Sequence, residues 1–541
     1  MIGAEAIVKC LEKENTEVIF GYSGVAIDPF WNKILDSDIK TVLIRTEQNA
    51  AHCASGYARI SGKVGVCAVT SGPGATNLIT GIATAYADSI PMIAITGQVN
   101  SDMIGSDVFQ EADITGAVES FVKYSYLIRD VNDIPKVFKE AFYIASTGRK
   151  GPVLIDIPFD IQNDEMTEKF AYPETISMRS YKPTVKGNTV QIKKVIKEVE
   201  KAKRPIICVG GGVHLSGATS ELIKFAELND VPVVSTMMGI GAMPSDHPLF
   251  FGMVGNNGKA YANRAMNESD LLLMVGARVA DRAVNRPDLI TENKVMVHID
   301  VDPAEIGKNV GPTIPLVGDI KHIFAEFLAQ DDHADDHKDW IETLRSYKEQ
   351  MMTLRAPAAE GFVDPEAFIR ALSRAMDDDA IYVADVGQNQ IWSCAYHIVK
   401  NGRFLTSGGM GTMGYSIPAA LGGKIAAPKR QVVAVIGDGA FQMSMMELAT
   451  MRQYGVKVKI VVMNNGYLGM VREHQHNAYN DNYSMVKLEG DPDLSLISAA
   501  YGMDYYKVDG NTDMEKTLAD FLKDDSSELM EVMVDPMALT R

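Results

Sequence analysis

The sequence predicts three α/β domains, each a doubly wound parallel sheet with helices on both faces. Three observations carry that expectation. The chain has 541 residues, and at roughly 150 residues per domain it divides into about three. Short β-branched runs alternate with helix-period stretches along the chain, the signature of βαβ units. Two aperiodic polar stretches interrupt the alternation and leave domains at 1–165, 189–330 and 361–541.

In the first domain the strand-like runs are VIFGYSG, TVLIRTE, VGVCAVTSG, PMIAITGQ and GPVLIDIP, most ending in Gly, Ser, Thr or an acid. Helical patterns such as ATNLITGIATAYAD lie between them. Residues 166–188 lose all periodicity, contain two prolines and read as a linker. The second domain opens on VQIKKVIKEVEKAKRP, whose Ile192, Val195, Ile196 and Val199 recur at helical spacing with lysines and glutamates opposite. Strands PIICVGGG, VPVVSTM, LLLMVGA and VMVHIDVD follow. The charged stretch 331–340 leads through a second linker to PEAFIRAL. The third domain then runs through AIYVADVG, RFLTSGG, QVVAVIGDG, VKIVVMNNG and LMEVMV. No tandem repeat is visible, and the first and third domains are free to share a fold without shared sequence.

Composition narrows the function. Apolar residues are 46% and charged residues 23%, which excludes a disordered or fibrous chain. The net charge of −18 argues against nucleic acid or an anionic membrane as partner, since either needs a basic patch. No segment approaches the ~20 apolar residues of a spanning helix. Glu5, Glu12 and Glu14 within an amphipathic N-terminal pattern fit neither a signal nor a transit peptide. Cys10, Cys53, Cys67, Cys208 and Cys394 are odd in number, widely spaced and form no CxxC pair. They read as buried thiols in a reducing compartment, and the expected location is cytoplasmic.

The most specific motif is Gly437-Asp438-Gly439 followed, after 24 intervening residues, by Asn464-Asn465. Each half follows a strand, and AFQMSMMELATMRQY between them reads as one helix packing on Phe441, Met445, Leu448 and Met451. Two neighbouring parallel strands thus deliver Asp438 and Asn465 to one carboxyl edge, where open α/β sheets bind ligands. A carboxylate and an amide oxygen suit Mg²⁺, which keeps other positions for phosphate oxygens, a carbonyl and water. Gly437 and Gly439 allow close backbone approach to phosphate, and the following helix N-terminus favours negative charge. Taken singly, each half is an ordinary strand-end turn; the pairing and spacing point to a diphosphate with Mg²⁺.

GDG…NN at this spacing resembles the thiamine diphosphate motif of two-carbon-transfer enzymes. The segments FGYSG, TEQNAAHCASGYAR, TSGPGATNLITGIATAYADSIPMIAITGQV, VFQEADI, GRKGPVLIDIP, SDLLLMVGARVADR, HIDVDPAEIGKN, SGGMGTMGYSIPAALG and LGMV resemble, in order, the large subunits of acetohydroxyacid (acetolactate) synthases. The resemblance implies decarboxylation of pyruvate on thiamine diphosphate. The hydroxyethyl carbanion then adds to a second 2-ketoacid, giving 2-acetolactate for branched-chain amino-acid synthesis. It further implies that Glu47 shares a proton with N1′ of the aminopyrimidine, so that the imino tautomer can strip the thiazolium C2 proton. An apolar cleft would raise the pKa of that carboxyl and suit it to the task.

By the same resemblance, Met413 wedges the cofactor into a bent form, Gly411 and Met413 offer backbone groups to its pyrimidine, and Gly24 and Asn77 also bind the cofactor. Gly387, Gln388 and Asn389 match the loop that meets the diphosphate, Ala440, Leu468, Gly469 and Met470 are further cofactor-binding positions, and the Tyr467 carbonyl joins Asp438 and Asn465 on Mg²⁺. Gln110, Phe109, Met470, Val471 and His474 line the substrate pocket, and Arg282 grips the carboxylate of the second ketoacid. Because Glu47 and the diphosphate site of one centre come from different subunits in such enzymes, a homodimer is the minimum active unit. A homotetramer and a small regulatory subunit are further possibilities. The middle domain resembles a FAD-binding domain in which the flavin has no net redox role. Its matching positions are Arg149, Gly210, Gly211 and Gly212, then Thr236, Met237, Met238, Gly252 and Met253, and finally Gly276, Arg278, Asp300 and Asp319.

Several positions depart from the pattern. His474 stands where a tryptophan is usual, Val254 for a histidine near the flavin, and Ala280 for an aspartate. Asp102 replaces an arginine, Phe159 a lysine, and Thr46 the histidine before Glu47. These leave cofactor chemistry intact and place the change at the acceptor: His474 argues against a preference for 2-ketobutyrate over pyruvate. A flavin-using pyruvate oxidase, a ligase with another acceptor and a non-catalytic paralogue are the rival readings. Of two histidine pairs, His333/His337 reads as a solvated linker and His474/His476 as acceptor pocket. The 29 methionines read as core filler.

Overall fold

Three six-stranded parallel sheets form the scaffold, seen in a computed structural model that describes residues 1–284, 290–311, 313–330, 336–351 and 358–540. The first sheet comprises β1 (Val18–Tyr22), β2 (Lys40–Leu43), β3 (Gly65–Val69), β4 (Met92–Gln98), β5 (Tyr124–Leu127) and β6 (Pro152–Pro158), in spatial order β2-β1-β3-β4-β6-β5. The second comprises β7 (Pro205–Val209), β8 (Val233–Ser235), β9 (Phe250–Met253), β10 (Leu271–Val275), β11 (Val295–Asp300) and β12 (Ile314–Val317), ordered β12-β11-β10-β7-β8-β9. The third comprises β13 (Ile381–Ala384), β14 (Arg403–Thr406), β15 (Val432–Gly437), β16 (Lys459–Asn464), β17 (Asp504–Val508) and β18 (Glu528–Met533), ordered β14-β13-β15-β16-β18-β17. Counted within each sheet, the first and third share the order 2-1-3-4-6-5, whereas the second is 3-2-1-4-5-6. The central strands are buried along their length because helices cover both faces, which is why they read as unbroken apolar runs.

Every strand read from the sequence is present. Four were not read: β5, β9, β12 and β17. All four are sheet edges. An edge strand packs less of its surface, so YSYL and DYYKV carry no apolar run to betray them.

The chain packs into two compact units. One joins Met1–Tyr181 with Ile381–Asn389 and Leu405–Met537; the other joins Lys182–Ala380 with Gln390–Phe404 and Ala538–Arg541. In the second, the helix Thr189–Lys201 buries the predicted Ile192, Val195, Ile196 and Val199, and Asn188 caps its first turn. The expected second linker is corrected in part. Lys338–Gln350 is a helix whose Trp340, Ile341 and Leu344 enter the core of that unit, with the indole N–H donating to the Pro205 carbonyl at 3.0 Å. His337 is likewise no solvated residue: it is buried, its ring nitrogens 2.7 and 3.1 Å from the carbonyls of Asn229 and Ala202. His333 lies outside the described residues. All five cysteines are free and buried, and no described helix is long and apolar enough to cross a membrane.

Within the first unit, the helix Glu47–Ser61 crosses the helix Ser416–Ala426 backbone to backbone. A Cβ at Gly56 would overlap the Ala419 carbonyl oxygen, and one at Gly422 would overlap that of Cys53. Flanking the crossing, the Ser55 and Tyr415 hydroxyls lie 3.1 Å apart and Arg59 donates to the Thr406 carbonyl at 2.7 Å. The adjacent Gly423 has room, its nearest neighbour being an Ile60 carbon at 3.5 Å. Gly422→Ala should therefore destabilise the protein by about 3 kcal/mol, because backbone cannot yield to the added carbon. Gly423→Ala should be neutral or stabilise by about 0.5–1 kcal/mol. Denaturant midpoints of the two variants check the contrast.

Candidate functional site

The carboxyl edge of the third sheet gathers the strongest sequence motif. Register pairs Gly437 of β15 with Met463 of β16, so Asp438 and Asn465 leave neighbouring strands side by side. Asp438 opens the helix Asp438–Ser444 and is 6% exposed. Its carboxylate accepts N–H bonds from Gly439 (3.0 Å) and from Gly466 (2.6 Å), tying the two strand ends together. Burial pushes its pKa up to about 6 against the bonds that favour the charge. Asn465 accepts from the Tyr467 N–H at 3.0 Å and donates at 3.0 Å to Gln388, which in turn donates to Glu473 at 2.8 Å. Gln388 and Asn389 leave β13, the neighbour of β15. The order reverses between those two strands, which makes this the topological switch point of the sheet. Gly387, at φ 144°, turns the chain there.

The segment carrying Gly411 and Met413 is pinned to the same edge by acids that the sequence reading did not single out. Asp385, fully buried at the end of β13, accepts N–H bonds from Val386 (2.9 Å), Gly414 (2.9 Å) and Ser416 (2.7 Å), and burial lifts its pKa to about 6. Asp88 accepts from Gly409 at 2.7 Å, and the Thr84 and Thr412 hydroxyls lie 2.7 Å apart. A Cβ at Gly439 would stand 3.7 Å from the Met413 methyl and 2.9 Å from a Leu468 methyl, so both side chains close over that glycine. A charged residue closing an apolar strand, as in AIYVAD, is the signal by which Asp385 could have been found.

The expected single helix between the two halves of the motif is two. Asp438–Ser444 ends at a break over Met445–Met446, and Glu447–Tyr454 begins anew. Phe441, Leu448 and Met451 are buried as expected, but Met445 is only half-buried, while Glu447 and Thr450, which the sequence did not single out, are fully buried.

In the first sheet the candidate residues again follow carboxyl ends. Gly24 follows β1, Glu47 follows β2, Gly72 and Gly74 follow β3, and Phe109 and Gln110 follow β4. Glu47, half-buried, opens the helix Glu47–Ser61 and accepts from the Asn77 amide at 3.1 Å. A Cβ at Gly74 would stand 3.5 Å from its carboxylate. Gly72, at φ 58°, lies against the Gln110 backbone, so Gln110 is brought to the same edge. Phe109 is 87% exposed and His474, on the helix Gly469–Tyr479, is exposed beside Tyr479. Val471 on the same helix is exposed too, and His476 pairs with Asp481.

The second unit's candidates also lie at the carboxyl edge of its sheet. The order reverses between β7 and β10, and there Gly210 and Gly212 meet Gly276, whose φ is 55°. A Cβ at Gly212 would come 2.7 Å from the Gly276 Cα. A Cβ at Gly211 would stand 3.3 Å from the Met238 Cβ, and one at Gly252, whose φ is 89°, 3.4 Å from the Tyr261 hydroxyl. Thr236 and Met253 are buried; Met237, Met238 and Arg278 are half-buried. Asp300 accepts from the Asp302 N–H, and Asp319 accepts from Lys321 and His322 at the start of the helix Ile320–Gln330. Arg282 is 80% exposed beside Asp281. Arg149, in the first unit, donates to Ser89 at 3.1 Å.

Comparisons with known families and proteins agree with this geometry. Residues 1–117 match the N-terminal TPP binding domain of thiamine pyrophosphate enzymes, 192–328 their central domain, and 385–532 their C-terminal TPP binding domain. The chain is 42% identical to a probable acetolactate synthase large subunit of Methanococcus aeolicus, over 99% of the chain and 92% of the relative. It is 41% identical to the acetolactate synthase large subunit of Lactococcus lactis, over 98% and 92%. To that of Haemophilus influenzae it is 42% identical, over 95% and 91%.

Support for the Phe109–Gln110 segment comes from a buried acid in β6. Asp156 accepts from Thr96 at 2.6 Å and from Gln98 at 2.9 Å, and Gln98 also donates to the Ala112 carbonyl at 2.8 Å. Burial raises the Asp156 pKa from 3.8 to about 7. The folded protein therefore holds a proton that the unfolded chain has lost. Stability from this group is present in full below its unfolded pKa and declines as pH rises through about 7. Asp156→Asn imitates the protonated acid, with one donor and one acceptor. It should flatten the melting temperature's dependence between pH 5 and 8 and raise it above pH 7, as thermal melts across that range would record.

Proposed function

Because the chain belongs to the thiamine pyrophosphate enzymes, and among them to the acetolactate synthase large subunits, it is a carboligase that transfers a two-carbon unit, and we propose how its own residues serve that reaction. The substrate is pyruvate, and the acceptor a second 2-ketoacid, giving 2-acetolactate. The observation that carries the assignment of the site is the bond from the Gly466 N–H to Asp438 at 2.6 Å, which unites the ends of β15 and β16 beside the β13/β15 switch point.

Thiamine diphosphate, when bound, supplies a thiazolium that acts as electron sink for the decarboxylation. Its diphosphate would lie against Gly387, Gln388 and Asn389, the turn Gly437–Ala440 and the segment Leu468–Met470. Mg²⁺ would take Asp438, Asn465 and the Tyr467 carbonyl. Among the described residues no three His, Cys, Asp or Glu cluster, and one carboxylate with two neutral oxygens fits a cation that completes its shell on phosphate and water. Met413 and Gly411 would hold the rings at their angle. Glu47, steadied by Asn77, would hold and pass the proton at N1′, and Gly24 would be a further contact of the cofactor.

We further propose a homodimer in which Glu47 of one subunit serves the diphosphate site of the other, with a homotetramer or a small subunit as possible further assembly. The exposure of Phe109 (87%), Val25 (78%) and Met485 (93%) supports a covering partner. Gln110, Phe109, Met470, Val471 and His474 would form the acceptor pocket, and the exposed Arg282 guanidinium would take a ketoacid carboxylate. The divisions 1–165, 189–330 and 361–541 are proposed as pyrimidine, flavin-type and diphosphate domains of a cytoplasmic enzyme. FAD fits the second sheet, whose glycines 210–212 and 276 bring backbone together at the β7/β10 switch point, with Thr236, Met237, Met238, Gly252, Met253, Arg278, Asp300 and Asp319 on the same edge.

With pyruvate alone, mass spectrometry should find acetolactate without oxygen uptake; stoichiometric oxygen consumption would instead identify a pyruvate oxidase. With equal pyruvate and 2-ketobutyrate, acetolactate should remain the main product, as expected from His474. Glu47→Gln should lower kcat by about 10²- to 10⁴-fold. Purified protein should be yellow and release FAD on denaturation; colourless, fully active protein would remove the flavin from the reading.

A further inference from the structure

Glu47 begins its helix without a local cap. Thr46 occupies the N-cap position, yet its side chain makes no capping bond, although Ser, Thr, Asp and Asn are favoured there for that bond. What holds this helix start comes from nearly 400 residues away. Glu447 accepts through Oε1 from the Arg45 N–H at 3.0 Å and from the Asn49 side-chain amide at 2.9 Å. These are the second residue before Glu47 and the second after it. Thr450 donates to the other Glu447 oxygen at 2.6 Å, and the Tyr454 hydroxyl accepts from the Leu43 N–H at 2.8 Å. Glu447, Thr450 and Tyr454 stand at i, i+3 and i+7, on one face of their helix. Glu447 and Thr450 are fully buried and Asn49 is 1% exposed.

A carboxylate is expensive to bury unless hydrogen bonds satisfy it, and this one is met by three donors, two of which bracket Glu47. We propose that Glu447 is a positioning residue: it fixes the start of the helix Glu47–Ser61 and so aims the Glu47 carboxyl at the cofactor. The proposal rests on the assignment of Glu47 made above. Its negative charge also complements the positive end of that helix. Glu447 lies nine residues after Asp438, so one short stretch of chain holds a candidate metal ligand and then braces the glutamate.

The test uses the full-length protein saturated with thiamine diphosphate and Mg²⁺, and follows exchange of the thiazolium C2 proton into deuterated water by quenched-flow NMR, with no ketoacid present. Glu447→Ala should slow exchange by about 10- to 100-fold, the scale of a displacement of about 1 Å. It should lower kcat with little change in the KM for pyruvate. Glu447→Gln should restore exchange to within about threefold, because its Oε1 accepts from the same two donors and its amide can donate to Thr450. Wild-type exchange in the alanine variant, or a glutamine variant as slow as alanine, would overturn the proposal. Should Glu447→Ala not fold, Asn49→Ala removes one arm of the brace; slowed exchange supports the proposal and an unchanged rate overturns it. Glu47→Gln separates the two levels. If it exchanges at the wild-type rate, the assignment of Glu47 itself fails; if it is slow while Glu447→Ala is wild-type, only the brace fails.

Discussion

The first unit depends on two helices meeting with no side chain between them. Glu47–Ser61 and Ser416–Ala426 approach so closely that Gly56 lies on the Ala419 carbonyl and Gly422 on that of Cys53. One helix begins at Glu47, and the other continues from the segment holding Gly411 and Met413. Their contact therefore sets two candidate site elements with backbone precision, before any flexible side chain is involved. Backbone contact leaves no rotamers to adjust, so the geometry is either right or the helices separate.

Around that crossing, buried acids do the holding. Asp385 gathers three backbone N–H groups, and Asp88 reaches the Gly408–Gly409 turn. Glu447 joins an N–H to a side-chain amide. A carboxylate accepting several N–H bonds is a strong and directional clamp for irregular chain, because each bond to a charged acceptor exceeds one to a neutral oxygen. The candidate site lies in loops after strands, where the sheet ladder no longer fixes the backbone. Acids placed at those ends supply the missing rigidity.

This division explains what was legible in the sequence. Central strands such as PVLIDIP and VVAVIG are buried on both faces and announce themselves as apolar runs. β5, β9, β12 and β17 are edges, and their residues answer to one neighbour and to solvent. Asp438 and Asn465 were legible because chemistry fixes both residue type and spacing. Glu447 was not, because inside MMELATMRQY an acid at helical spacing looks like a solvated face. Only the tertiary fold, which lays residues 43–49 over it, makes that position buried. Met445 failed for the related reason that the helix breaks there, turning the periodicity by which it was judged.

The strand orders carry the argument one step further. The first and third sheets share the order 2-1-3-4-6-5, with the reversal between their first and third strands; Gly24 and Gly72–Gly74 follow those strands in one and Gln388–Asn389 and Gly437–Gly439 in the other, while Glu47 and Asn465 follow the neighbouring strands β2 and β16. The second sheet reverses between its first and fourth strands, where Gly210–Gly212 meet Gly276. A switch point is where two loops turn away in opposite directions and leave a crevice at the carboxyl edge. Sheets one and three thus offer crevices of the same construction with different chemistry, a carboxyl and amide pair in one and a phosphate- and metal-suited turn in the other. A cofactor with a heterocyclic end and a diphosphate end needs that pairing of like scaffolds with unlike linings.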